Sequence, residues 1–187
     1  MNLKTVFASF VALALVAGGC KKKDDPVIPN EEELITTFIY TLISHDHTDT
    51  VEMRFQDLDG EGGIAPIIIG GTLKAGTMYN CDIELLNEQA NPAKDITKEV
   101  QAEAEEHQFF FAVANGLDAA VSYDDADQDS NPIGLKSVLN TNAISSGELT
   151  ITLRHEPDKF AQGVANGDIT NAGGETDIEV TFDVDII

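Results

Sequence analysis

Two short runs in this chain of 187 residues hold oxygen ligands at the spacing a hard cation needs. In residues 124–134, Asp125, Asp127 and Asp129 fall at every second position and Asn131 adds a side-chain carbonyl. In residues 57–63, Asp57, Asp59 and Glu61 repeat the rhythm, and Gly60, Gly62 and Gly63 leave the backbone free to curl. Carboxylates packed this closely repel one another unless a cation lies between them. The chemistry expected here is Ca²⁺ binding, strongest for Asp125, Asp127, Asp129 and Asn131 and weaker for Asp57, Asp59 and Glu61. Against it stands the plain fact that Asp, Asn and Gly are turn formers in any very acidic protein.

The first run has the ligand rhythm that opens an EF-hand loop, but Ser130 stands where the turn glycine belongs and Lys136 where the bidentate glutamate belongs. A loop between two strands, completed by carboxylates from elsewhere, is the expected form of the site. A third acidic and Gly-rich stretch, residues 163–177 with Asp168, Glu175 and Asp177, reads as a long hairpin connection. The histidines match no zinc spacing. His45 and His47 fall in a turn at residues 44–50, and His107 and His155, at element ends, are expected to pack against neighbouring carboxylates. No Gly-x-Ser-x-Gly, phosphate loop or activated cysteine is present, so no catalytic residue is assigned.

The elements that must position these residues are strands. Tyr79, Cys81, Ile83 and Leu85 alternate with polar residues, as do Val51, Met53 and Phe55, then Phe109, Phe111 and Val113, Ala119, Val121 and Tyr123, and Leu149, Ile151 and Leu153. The last run sets Ile178, Val180, Phe182, Val184 and Ile186 on one face and Asp177, Glu179, Thr181, Asp183 and Asp185 on the other, one toward core and one toward water. Residues 34–43 are apolar on both faces and read as a central strand; residues 135–139 are a weaker strand. Cys81 is an inert core thiol on this pattern. The spacing predicts a mostly β fold, an antiparallel Ig-like β-sandwich of seven or eight strands. One short helix is expected near residues 93–107, capped by Asn91 and Pro92 and packed through Ile96, Val100 and Ala104.

Composition narrows the partners. With 33 acidic against 11 basic residues the net charge is −22, and the basic residues are scattered, so no positive stripe exists for nucleic acid. The first nineteen residues carry one charge, Lys4, then an apolar run and the small residues Ala17, Gly18 and Gly19 before Cys20. They read as a signal peptide, too short to span a membrane. The four residues 17–20 resemble a bacterial lipobox, which implies acylation of Cys20 and a membrane contact through lipid. Lys21, Lys22, Lys23, Asp24 and Asp25 resemble the export signal of Bacteroidetes-type surface lipoproteins, which implies an outer-membrane lipoprotein displayed on the cell surface. Residues 20–33 form an acidic tether punctuated by Pro26 and Pro29, leaving residues 34–187 as one domain.

Several longer stretches extend that likeness: residues 54–60 (RFQDLDG), 106–110 (EHQFF), 131–135 (NPIGL), 153–157 (LRHEP) and 171–177 (NAGGETD). They resemble a group of small, uncharacterised Bacteroidetes-type lipoproteins, some of which carry the label of the type 1 periplasmic binding fold. That label implies two βαβ lobes, for which this chain has too few helices and too few residues. The resemblance implies a lipid-anchored envelope protein and brings no activity with it. Two functions are therefore expected: a Ca²⁺-stabilised binding lipoprotein, or an assembly lipoprotein that pairs with another envelope protein through a sheet edge.

Overall fold

The alternating runs become the long strands of two sheets in the computed structural model, which describes residues 33–60 and 62–187. The expected leader, Cys20, the tether up to residue 32 and Glu61 lie outside the described residues. In chain order the elements are β1 (Thr37–Ser44), β2 (Thr50–Gln56), β3 (Ile67–Ile69), β4 (Gly71–Leu73), β5 (Met78–Asn87), β6 (Lys94–Asp95), α1 (Thr97–Ala102), β7 (His107–Ala114), β8 (Ala119–Tyr123), β9 (Lys136–Thr141), β10 (Ser145–His155) and β11 (Glu175–Ile186). The first sheet runs β3-β2-β1-β5-β9-β8, with β6 paired to the far end of β5; the second runs β4-β11-β10-β7. All pairings are antiparallel except β4 with β11.

The class expected from the alternation is the one observed, mostly β with a single α-helix among the described residues. All eight strands read from the sequence are present, six from alternating runs and two, β1 and β9, from apolar stretches. The three additional ones, β3, β4 and β6, are two or three residues long and too short to display a period. β1 is paired on both edges, and burial of Thr37 and Ile39 on one face and of Phe38, Tyr40 and Leu42 on the other accounts for its largely apolar sequence.

One core joins the inner faces of the two sheets. Phe38 of β1 meets Phe109 of β7 at a ring separation of 6.2 Å and Phe182 of β11 at 6.0 Å. Leu42, Leu85, Leu139, Leu149, Ile151 and Leu153 are fully buried around them. Each such side chain contributes roughly 1.5–3 kcal/mol relative to exposure. Cys81 is buried among them as a free thiol, and burial pushes its pKa up.

The helix is shorter than residues 93–107. Asn91 and Pro92 lie before it in a turn, Lys94 and Asp95 pair with β5, and buried Ile96 occupies the cap position ahead of Thr97. The segment is tied down early because the Ile96 N–H donates to the Leu85 carbonyl (3.0 Å) and the Leu85 N–H to the Thr97 hydroxyl (2.8 Å). The helix then gives way to a 3-10 turn at Ala104–Glu106. Ile96, Val100 and Ala104 face the core as their spacing requires.

At one edge the chain changes sheets. β3 pairs with β2 in the first sheet, and β4, one residue later, pairs with β11 in the second. Gly70 is the pivot, passing so close to β11 that a Cβ there would overlap the Asp183 carbonyl oxygen, while one at Gly71 would stand 2.6 Å from the Met53 methyl. Gly70→Ala is therefore expected to lower stability by about 1–3 kcal/mol, read as the midpoint of urea unfolding. An unchanged midpoint would show that the strands have room to part.

Candidate functional site

Three chemistry-bearing side chains meet at one end of the second sheet. His107 opens β7 and His155 closes β10, and the register sets them directly opposite each other. Their rings stack with centroids 4.7 Å apart and planes 7° from parallel. The third member arrives through a β-bulge. Leu153 opposes Ile178 but Arg154 opposes Thr176, so Asp177 is the extra residue between them. A bulge re-aims the side chain it inserts. This corrects the expectation that Asp177 lies on the water face of the last strand: its carboxylate has no exposure at all, standing 3.6 Å from His107 Nε2 and 3.8 Å from His155 Nδ1. Arg154 braces the bulge, its guanidinium donating to the Gly173 and Gly174 carbonyls (2.7 and 2.8 Å) and to the Thr176 hydroxyl.

His107 is held by its other nitrogen. Nδ1 lies 3.1 Å from the Glu103 carbonyl, so the neutral ring donates there and leaves a bare lone pair on Nε2, which is buried without a hydrogen bond. Burial pushes the His107 pKa below its ordinary value; the hydrogen bond to Glu103 opposes this, while the positive charge of protonated His155 or Lys159 adds to it. The neutral ring is thereby favoured.

The same turn carries a second buried polar centre. Lys159, only 3% exposed, donates from Nζ to the Ala104 carbonyl (2.6 Å), the Pro132 carbonyl (3.1 Å) and Asp127 Oδ2 (3.0 Å). Glu103 and Ala104 follow α1 directly, where the helix leaves its carbonyls unpaired and its dipole negative. No basic residue sits in the last turn of α1, so His107 and Lys159, from β7 and the β10–β11 connection, fill that role.

The residues expected to hold Ca²⁺ are spoken for largely by the chain itself. Asp125 accepts from the Gly134 N–H (2.6 Å) and the Lys136 N–H (2.9 Å), one per oxygen. Asp127 takes Lys159 on Oδ2 and the Asp129 and Asn131 N–H groups (3.0 and 2.8 Å) on Oδ1. Asp129 is exposed and Asn131 is buried. The positive charge that this crowding calls for is supplied by Lys159. In the other loop Asp57 accepts from the Gly60 N–H (2.8 Å) and Asp59 from the Ile64 N–H (2.9 Å); Glu61 lies outside the described residues. His45 and His47 are exposed in the β1–β2 turn.

Among the described residues, groups of His, Cys, Asp or Glu close enough to share an ion are His107, His155 and Asp177, which each offer one ligand atom within 4.8 Å of the others, and Glu106, His155 and Glu156, which do the same. Two imidazoles and a carboxylate can take up protons or a divalent ion. The packing of His107 and His155 against a carboxylate was expected from their places at strand ends; their meeting each other was not. The only hint is a His at the boundary of two apolar runs, both preceded or followed by Glu.

Searches of protein-family models, curated proteins and solved structures found no match to the chain. The fold and this site therefore define it only as a two-sheet β protein with a buried His–His–Asp cluster.

Removing the Lys159 charge leaves Asp127 buried without its partner. Lys159→Met is expected to cost about 3–5 kcal/mol of unfolding free energy, and a double-mutant cycle with Asp127→Asn to return a coupling above about 1 kcal/mol. Strictly additive losses would show that the pair does not interact. Because amides and an ammonium already face Asp125 and Asp127, Ca²⁺ is expected to raise the melting temperature of EDTA-treated protein no more than Mg²⁺ does. A Ca²⁺-selective rise would show that the loop opens to admit the ion.

Proposed function

We propose that this chain is a lipid-anchored cell-envelope lipoprotein, held to the membrane through acylated Cys20, whose β domain is a binding module that docks an extended protein segment along β3. The observation that carries the docking is the strand itself. Ile67, Ile68 and Ile69 are 59%, 48% and 50% exposed, on the terminal strand of the first sheet. Edge strands are ordinarily guarded by charge, by proline within the strand, or by a covering element. Here residues 62–73 contain no charged residue in a chain of net charge −22, and Pro66 precedes the strand without entering it.

Beside β3 the exposed side chains of Leu58 and Ile64 rim a cavity of about 300 Å³ lined also by Gln56, Asp57, Asp59, Ala65 and Ile67. A partner strand would gain main-chain hydrogen bonds from the free edge and seat one apolar side chain in this cavity, the division of labour of strand addition. The lipid anchor rests on the residues before Cys20 and the charged tether after it. The absence of Trp and the inward packing of most Phe residues weigh against a glycan site.

The test is a photo-crosslinking residue placed at Ile68 in the full-length protein in intact cells. A discrete adduct with one envelope protein, lost when Ile67→Lys is added, is the expected result. An adduct of two copies of the chain would make the partner a second copy, and no adduct would overturn the docking reading. Cys20→Ser is expected to move the protein from the membrane to the soluble fraction. Continued sedimentation with membranes would overturn the anchor.

A further inference from the structure

We propose that His107, His155 and Asp177 bind one divalent transition-metal ion of the Zn²⁺ class, which staples β7, β10 and β11 together at the end of the second sheet. This stands apart from the docking strand and does not depend on it.

Three observations converge on the site. The first is spacing. Two ligands each about 2.1 Å from a tetrahedral ion stand about 3.4 Å apart; His107 Nε2 lies 3.6 Å from Asp177 Oδ2, His155 Nδ1 lies 3.8 Å from Asp177 Oδ1, and one ligand atom from each of the three residues lies within 4.8 Å of the others. The second is the state of His107. Its Nδ1 is committed to the Glu103 carbonyl, the outer hydrogen bond that typically orients a ligating histidine, and its buried Nε2 lone pair faces a carboxylate oxygen. The third is construction: the bulge turns Asp177 inward, Arg154 braces it, and Gly174, in the left-handed region, lets the chain pass against the His155 carbonyl.

The ligand chemistry selects the ion. Two imidazoles with one carboxylate suit Zn²⁺ and its neighbours, whereas Ca²⁺ and Mg²⁺ take oxygen sets. Solvent touches the cluster at His155, whose side chain is 6% exposed and lies beside the exposed Glu106 and Glu156 carboxylates. A bound ion lies in the plane of each ring it touches, and the two rings are stacked, so loading turns the His155 ring out of the stack.

The experiment is a Zn²⁺ titration of EDTA-stripped full-length protein against a chromogenic chelator, with melting temperature followed in parallel. One equivalent is expected to bind and to raise the melting temperature by several degrees. Asp177→Asn and His107→Gln are each expected to weaken binding by about a hundredfold or more, while Asp129→Asn leaves it unchanged. No binding by the wild type, or undiminished binding by a folded Asp177→Asn variant, would overturn the proposal. Should those variants fail to fold, the imidazole ¹⁵N resonances of the wild type decide. Zn²⁺-induced shifts of both His107 and His155 support the site, and resonances unmoved at saturating Zn²⁺ overturn it.

Discussion

A single buried ammonium organises one end of this molecule. Lys159 reaches from the β10–β11 connection to the carbonyl that follows α1, to the Pro132 carbonyl, and to Asp127 in the loop between β8 and β9. Three excursions that are distant in sequence are thereby held by one charge. Burying a lysine is costly unless its three protons all find acceptors, and here they do. The geometry that follows depends on it: with the turn after α1 fixed, Glu103 presents its carbonyl to His107, and the imidazole of His107 is aimed at Asp177.

In a chain so acidic, the loops use their few cations sparingly and meet most carboxylates with backbone amides. Asp125, Asp57, Asp59 and Asp168 each accept from nearby N–H groups, which shape the turn. Repulsion between clustered carboxylates is thus answered locally, residue by residue. The uncharged stretch that carries β3 stands out against this background, bordered at its cavity by Asp57 and Asp59.

What the sequence made legible was whatever repeats. The period of two exposed six strands, β11 with its inward set among them, because a half-buried sheet imposes that period on every residue, while apolar stretches marked β1 and β9. It could not expose β3, β4 or β6, which are no longer than one and a half periods, nor the start of α1, where pairing of Lys94 and Asp95 with β5 overrode the capping preference of Asn91. Asp177 was misplaced for a sharper reason. Alternation assumes an unbroken register, and one inserted residue reverses the face of everything on its far side. Lys159 was equally opaque, since a single basic residue among acids looks like any solvated lysine until the fold closes around it.

The central place of β1 has a mechanical meaning. Its seven partners in β2 and eight in β5 lie antiparallel on both flanks. Tension applied to the chain ahead of Thr37 runs along the strand axis, so the ladder bonds on both sides are loaded together in shear and resist collectively. A strand at the sheet margin would instead be peeled away one bond at a time. The first strand of the domain is therefore placed where a pull from the N-terminal side is borne by the middle of the sheet, and the exposed β3 margin is spared that load.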